Sequence, residues 1–196
     1  MDRQFLKRAW VWVTRIKYCR GFGVQSPNDY RFIRYVINEH WPYYKYERLK
    51  KSIAEIDNST RRLCKLYFRI ANHCQPALYI DIAPDTPAYA KYVKAGCRKT
   101  KVLSVNDTET LPMKKHVVVA RMDASRDVPV SLEKIFALAD EGSVIILQDI
   151  HASKEQRQIW NEACGHERVG VAYDLYYCGL LHCVKRQFKK NYKVNF

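Results

Sequence analysis

The twelve residues Leu78 to Tyr89, LYIDIAPDTPAY, constrain the fold of this chain more than any other segment. A short apolar run leads into a polar loop and then into a helical pattern, which predicts a buried strand, a tight turn and a helix. In α/β proteins this junction faces a ligand, and glycines usually let the ligand approach the main chain. Here the loop contains Pro84 and Pro87 but no glycine, since none occurs between Gly23 and Gly96. The segment therefore predicts a ligand-binding architecture that lacks its usual residues.

The rest of the second half alternates strands and helices. Its apolar runs predict a sheet covered on both faces, with strands at Leu78 to Ile82, Lys101 to Val105, His116 to Arg121 and Ser143 to Gln148. Helices are predicted at Pro87 to Ala95, Pro129 to Asp140 and from the Ser153 cap through Trp160. Two last strands, Arg168 to Leu175 and Leu180 to Val184, would form an antiparallel hairpin around Cys178-Gly179. This order predicts an α/β, Rossmann-like, doubly wound and mostly parallel sheet that ends in an antiparallel hairpin strand.

For residues 1–75 the sequence pattern predicts helices and no strands. Three helices are expected at Pro27 to about Glu39, at Tyr44 to Ile56 and after Asp57-Asn58-Ser59. An earlier one shows an apolar face at helical spacing, formed by Phe5, Ala9, Trp12, Val13 and Ile16. We expect this face to pack on the core, the alternative being a membrane surface. The chain thus divides into an N-terminal helical region, 1–75, and a Rossmann-like region, 76–196, which we expect to form one compact unit.

Cysteine usage and hydropathy bear on the cellular compartment. The seven cysteines are scattered and include no CxxC pair, which favours free thiols over disulfides or a zinc site. No apolar run approaches the ~20 residues that span a bilayer, and the N-terminus lacks the apolar core of a signal peptide. We therefore expect a cytoplasmic protein without a membrane span.

The formal net charge of +14 raises the question of an acidic partner. Lysines and arginines that bind a phosphate backbone release its counterions, so a basic protein is a candidate for nucleic-acid binding. The basic residues concentrate near both ends of the chain but also occur throughout its middle, a pattern typical of a solvated surface. We favour the solvated surface and leave an acidic partner open.

Three motifs carry a resemblance to a known family. They are RGFGVQSPNDYRFI (20–33), SVIILQDIHASKEQRQIW (143–160) and YDLYYCGLLHCVK (173–185). In this order they resemble a group of bacterial class I S-adenosylmethionine-dependent methyltransferases, which share a GFGVxSP entry segment and a DIHxS motif. The resemblance extends from about Arg20 to Phe196. It implies the same Rossmann-like fold, S-adenosylmethionine as cofactor and a small-molecule substrate methylated on oxygen or nitrogen.

The resemblance also implies where the cofactor would lie. The glycine-rich loop of the family corresponds to Asp81, Ala83, Pro84 and Asp85, where side chains replace glycines and the cofactor loop is degenerate. An acidic residue that holds the ribose corresponds to Asn106 or Asp107, for which a turn-forming Asn-Asp pair is the alternative. Only ten residues, 106–115, separate the strand before them from the next one, so we expect a trimmed outer edge of the sheet.

Two further positions depart from the family. Relatives that resemble catechol-type methyltransferases carry a metal-holding aspartate where Arg121 stands here, and Asp123, two residues on, is a candidate for cofactor contact. The paired acids after the next strand become Gln148-Asp149. Because an arginine cannot bind a cation and magnesium prefers several oxygen ligands, we expect no metal site.

The loop Asp149-Ile150-His151 is the candidate for catalysis, because ligands of α/β sheets bind at the carboxyl ends of the strands. His151 would act as general base on a substrate hydroxyl or amine, with Asp149 orienting it or contacting the cofactor. In the alternative, Asp149 bonds its own loop and His151 is merely exposed. The same alternatives apply to the whole protein: an active methyltransferase, or a non-catalytic binding or scaffold protein of this fold with an acidic or nucleic-acid partner.

Overall fold

The computed structural model describes residues 3–53, 56–106, 111, 116–124 and 128–196, with all their side chains except those of residues 3–8, 19 and 20. The helices are α1 (Arg3–Thr14), a 3-10 helix (Ile16–Gly21), α2 (Pro27–Phe32) continued by a π-helical turn (Ile33–Ile37), α3 (Tyr44–Ser52), α4 (Asn58–Cys74), α5 (Ala88–Gly96), α6 (Val128–Leu138) and α7 (Lys154–Gly165). The strands are β1 (Leu78–Ile82), β2 (Lys101–Val105), β3 (Val118–Asp123), β4 (Ser143–Gln148), β5 (Val171–Asp174), β6 (Cys178–Cys183) and β7 (Lys190–Lys193).

These strands form one sheet in the order β2-β1-β3-β4-β6-β5-β7. The first four are parallel, whereas β6 is antiparallel to both β4 and β5. The predicted doubly wound, mostly parallel sheet with an antiparallel hairpin is confirmed. In this order β2 is the outer strand of the described sheet, and the expectation of a trimmed edge concerns residues 106–115, most of which lie outside the described residues.

Several predicted boundaries were wrong in the C-terminal half. Strand β3 begins at Val118 and continues to Asp123, beyond the predicted end at Arg121. Cys178 and Gly179 belong to β6, and the hairpin turns at Tyr176 and Tyr177 instead. Strand β7, which pairs in parallel with β5 at the sheet edge, was not predicted.

The helix predictions were right at two N-caps and wrong at one helix end. The cap residues Asp57 and Ser153 accept hydrogen bonds from backbone N–H groups at the starts of α4 and α7, as their side chains favour. The predicted third helix, by contrast, was too long, since α3 ends at Ser52. Within the described part of the chain, no helix has both the length and the apolar composition needed to cross a bilayer.

The two faces of the sheet carry separate apolar cores. Residues of α2, α4 and α5 pack on one face, around Phe32, Tyr67 and Tyr92. Residues of α6 and α7, among them Phe136 and Trp160, cover the other face. The N-terminal helices α2 and α4 thus share a core with the sheet.

Close packing of α5 on α4 depends on Gly96, the residue that ends α5. A Cβ atom at this position would collide with the backbone carbonyl oxygen of Phe68 in α4. Because a backbone atom cannot move aside cheaply, only glycine fits here. This contact fixes the helix that follows the β1 turn, and with it one wall of the candidate site.

The described part of the apolar face predicted for the first helix does not pack on the core, and the side chain of Phe5 lies outside the described residues. Trp12, Val13 and Ile16 are 51%, 57% and 54% exposed. The side of α1 that is buried carries Val11 and continues at Arg15, just after the helix. The expectation of core packing was wrong because a buried arginine, rather than the apolar spacing, decides which side faces inward.

Candidate active site

A cavity of about 220 Å³ opens at the carboxyl ends of the parallel strands. Asp85 from the β1–α5 turn, Asp123 at the end of β3 and Gln148 with Asp149 at the end of β4 line its sheet side. The rest of its lining comes from α5, the hairpin turn, the start of α4 and the chain's last segment, through residues Tyr89, Tyr177, Ser59, Thr60, Arg62, Leu63 and Phe196. Parallel strands bring these side chains together, since their carboxyl ends meet at one edge.

The turn after β1 has an unusual backbone conformation. Ala83 adopts φ = +44°, in the left-handed region that normally requires glycine. Its N–H donates to the carbonyl of Val105 at the end of β2, and Thr86 Oγ1 accepts from the N–H of Ala88 where α5 begins. The turn thus follows a tight path although it contains no glycine.

Beneath this turn lies a fully buried ion pair. The Nε atom of Arg121 is 2.5 Å from Oδ1 of Asp81, and their side chains are 1% and 0% exposed. Arg121 also donates from Nη1 to Oε1 of Gln148, and its Cζ lies 4.8 Å from the centre of the Tyr89 ring. The amide nitrogen of Gln148 donates to the Tyr89 hydroxyl, which closes the network. Arg121 thus contacts Gln148 and Tyr89, two residues that line the cavity, and ties β1, β3, β4 and α5 together.

Burial governs the ionisation of this network. It raises the pKa of the Asp81 carboxyl, and the charge of Arg121 opposes that effect only in part. It also raises the pKa of Tyr89 to about 12, although the hydrogen bond from Gln148 acts in the other direction. Tyr89 therefore stays protonated at neutral pH, and the only charge pair in this described network is Asp81 with Arg121.

The structure separates the two residues predicted to act together in catalysis. Asp149 lines the cavity, with a backbone φ of +57°. His151 instead directs Nε2 toward Oδ2 of Asp174, at 2.9 Å, and its ring stacks on Tyr176 at a centroid distance of 5.0 Å. His151 is largely buried, so the alternative of a merely exposed histidine does not describe it either.

The partner of His151 belongs to a second cluster that sequence reasoning missed. Arg15 places Nη2 2.8 Å from Oδ1 and 2.9 Å from Oδ2 of Asp174. A second cavity, of about 590 Å³, contains Arg15, His151 and Asp174 together with Trp160 of α7. The DIHxS-like and YDL motifs contain His151 and Asp174, but only the fold shows that these residues meet each other and Arg15.

Only some of the residues predicted to contact the cofactor line the cavity. Asp85 and Asp123 line the cavity, and Ala83 shapes its turn. Asp81 is enclosed by its pairing with Arg121. Asn106 is exposed just after β2, and Asp107 lies outside the described residues. Among the described residues, no group of three or more histidine, cysteine, aspartate or glutamate side chains is arranged to hold a metal ion.

Comparison with known proteins identifies the fold but no family. No family model and no curated protein matches the chain. A methyltransferase from Podospora anserina, PaMTH1, solved with S-adenosylhomocysteine (SAH) bound, superimposes with a TM-score of 0.56 and 9% identity over 83% of this chain and 97% of that one. The O-methyltransferase TomG from Streptomyces achromogenes, solved in complex with S-adenosylmethionine, matches at a TM-score of 0.48 with 9% identity, covering 72% of this chain and 88% of that one. The likeness to PaMTH1 establishes a methyltransferase-like fold.

Proposed function

We propose that this protein binds S-adenosylmethionine at the β1–α5 turn and methylates an oxygen or nitrogen of a small molecule in the adjoining cavity. The left-handed Ala83 carries the proposal, because strained backbone at residues other than glycine clusters at ligand-binding and active sites. The turn opens on a cavity between three strand ends, in a fold that in PaMTH1 was solved with the demethylated cofactor. At about 220 Å³ the cavity is smaller than the ~300–1,000 Å³ of most ligand pockets, which suits a small acceptor beside the cofactor.

The residues of the turn fit the cofactor in part. Asp81 does not, since its carboxylate is enclosed with Arg121. Asp85 is exposed and lines the cavity, so its carboxylate is placed to bind an ammonium group there. Asn106 would contact the ribose from the end of β2, with Asp107 as the other predicted contact. When bound, the cofactor supplies an electrophilic methyl group on a sulfonium ion.

The acceptor side of the cavity would be served by Asp149 and Asp123. Both line the cavity and end adjacent strands, since Asp123 pairs in register with Gln148. A carboxylate at this place can orient an acceptor hydroxyl or amine and receive its proton. His151 is assigned a different role, because its Nε2 is directed to Asp174 and it lines the second cavity. There it would hold the turn after β4, and with it Asp149, in place.

Calorimetry with S-adenosylmethionine and SAH tests the proposal. The wild-type chain should bind both, and Asp85→Asn should weaken binding by about tenfold, because a hydrogen bond to a charged group contributes about 1.5–3 kcal/mol. Asp140→Asn is the matched control, since Asp140 is exposed and lines a cavity apart from the turn. Absence of binding at millimolar ligand by the folded wild-type chain would overturn the proposal.

The Asp81–Arg121 pair favours a second candidate, a non-catalytic binding protein of the same fold. It removes an acidic side chain from the cofactor turn and encloses it completely. Such a protein would use its net charge of +14 toward an acidic partner, for which single-stranded RNA is a direct probe. Salt-sensitive RNA binding together with no cofactor binding would favour this candidate, and cofactor binding without RNA binding would exclude it.

A further inference from the structure

The outward face of the first helix is apolar and has no partner in the described part of the chain. Trp10 is 71% exposed, and Trp12, Val13 and Ile16 are each more than half exposed. Ala9 is exposed as well and continues the same helical spacing toward the N-terminus. Large apolar side chains that lie together on the surface usually mark an interaction site.

The structure holds this face outward. Arg15, just after the helix, donates from Nη1 to the backbone oxygens of Asp174 and Val194 and from Nη2 to the Asp174 carboxylate. The side chain of Asn195 donates to the backbone oxygen of Trp12. To bury its tryptophans the helix would have to rotate and leave the Asp174 carboxylate without Arg15, an unfavourable exchange. The exposure of the apolar face is therefore built into the fold.

The charge of the segment indicates what covers this face. The first twenty residues contain six basic residues and one acidic residue, Asp2. The basic residues are Arg3, Lys7, Arg8, Arg15, Lys17 and Arg20, of which Arg15 is paired with Asp174 and the other five give the segment its excess positive charge. Two copies of this segment would repel each other across a dimer interface, whereas an anionic surface would attract it.

We propose that α1 binds the surface of an anionic lipid bilayer. Tryptophan side chains prefer the interface between headgroups and acyl chains, and basic residues next to them bind acidic headgroups. The helix would lie in the plane of the bilayer with Trp10, Trp12 and Val13 inserted. Arg15 would keep the rest of the protein attached at its other side, independently of whether the cavity binds a cofactor.

Flotation of the full chain with lipid vesicles tests this proposal. The wild-type protein should float with vesicles that contain phosphatidylserine and should not float with pure phosphatidylcholine, and added salt should weaken the binding. The double variant Trp10→Ser/Trp12→Ser should lose at least about tenfold in binding to the acidic vesicles. Trp41→Ser is the matched control, because Trp41 is 73% exposed and lies in the loop before α3.

Because both replaced tryptophans are exposed, the double variant should fold, and an unchanged thermal midpoint would verify this. Equal flotation of the double variant and the wild type would overturn the proposal, as would wild-type binding to neutral vesicles alone or to neither kind. A wild-type dimer in sedimentation equilibrium that the double variant does not form would assign the face to a second copy of the chain, and so would also overturn it.

Discussion

The parallel half of the sheet and its hairpin half each contain a buried arginine–aspartate pair, and the two pairs differ in the groups that surround them. Arg121–Asp81 lies next to the β1–α5 turn of the parallel half, where only Oδ1 of Asp81 meets the guanidinium. Arg15–Asp174 lies beside the hairpin, where Arg15 approaches both carboxylate oxygens and His151 and the N–H of Tyr176 add hydrogen bonds. The Asp174 carboxylate thus has several hydrogen-bond partners besides Arg15. The Asp81 carboxylate is more completely buried and has fewer hydrogen-bond partners.

The carboxyl groups respond in opposite directions. Burial raises the pKa of Asp81 despite Arg121. Burial acts on Asp174 too, but the hydrogen bond from His151 and the charge of Arg15 outweigh it and lower the pKa of Asp174. The Asp81 carboxyl is thus buried where its charged form is disfavoured, and ionisable groups in such surroundings are typical of functional sites. The comparison indicates that Arg15–Asp174 serves attachment of the first helix, whereas Arg121–Asp81 shapes the site at a cost in stability.

Removing each arginine gives the largest expected effects and tests the difference directly. Arg121→Met leaves the fully buried Asp81 carboxylate uncompensated and should lower the free energy of unfolding by about 3–5 kcal/mol. Arg15→Met should cost less, about 1–3 kcal/mol, because Asp174 retains its hydrogen bonds to His151 and Tyr176. Urea unfolding at neutral pH measures both. Equal losses would show that the two pairs are equivalent.

The double variant Arg121→Met/Asp81→Asn separates charge from packing in the same experiment. It removes both members of the pair, so no unpaired charge stays buried. We expect it to be more stable than Arg121→Met alone. If it is no more stable, the loss in the single variant comes from the contacts of Arg121 with Gln148 and Tyr89 instead.

The hairpin half should also be the more acid-sensitive one, through His182 of β6. Burial lowers the pKa of His182 to about 4, and the charge of His73 acts in the same direction. Since a histidine in the unfolded chain titrates near 6.5, that chain binds the extra proton first, and acidification from pH 6.5 toward 4 destabilises the fold.

The expected loss from this one residue is about 1.4 kcal/mol per pH unit in that window, or on the order of 3 kcal/mol in total. Unfolding free energies of the wild type and of His182→Gln, measured from pH 7 to pH 4.5, give the slope. The variant should lack this part of the pH dependence. A wild-type stability that does not change from pH 6.5 to 5, or equal slopes in both proteins, would contradict the assignment.

Sequence periodicity was a good guide where local pattern decides structure. The apolar runs of β1, β2 and β4 appear in the fold with the predicted bounds. Strand β7 was missed because KNYK has no apolar alternation and is a strand only through its pairing with β5. The exposed face of α1 was missed for a related reason, since the tertiary contact of Arg15 with Asp174 overrides the helical apolar spacing.

The candidate site shows the same limit. The sequence pointed to the strand ends, and Asp85, Asp123 and Asp149 do meet at one cavity. It could not show that Arg121, an internal strand residue, points inward to Asp81, because alternation does not say which buried residue has a charged partner. Nor could it separate Asp149 from His151, which are two positions apart but line different cavities.

The smallest expected effect concerns a backbone feature that both halves share, a residue other than glycine with positive φ. Ala83 has φ = +44° in the β1–α5 turn, and Tyr176 has φ = +74° in the hairpin turn. Ala83→Gly should relieve the strain of the left-handed conformation and stabilise the fold by about 1 kcal/mol. Tyr176→Gly relieves the same strain but removes the ring that stacks on His151 and lies 5.2 Å from the guanidinium carbon of Arg15, so it should bring no gain.

Thermal and urea unfolding of the two glycine variants therefore sharpen the comparison between the halves. If only Ala83→Gly is stabilising, the Ala83 side chain adds no stability to the β1–α5 turn. The contacts of Tyr176 would then offset the backbone strain at that residue. Ala90→Gly, within α5, is the control and should cost about 1 kcal/mol, since glycine is unfavourable inside a helix. Destabilisation by Ala83→Gly similar to that control would show that the Ala83 side chain supports the turn.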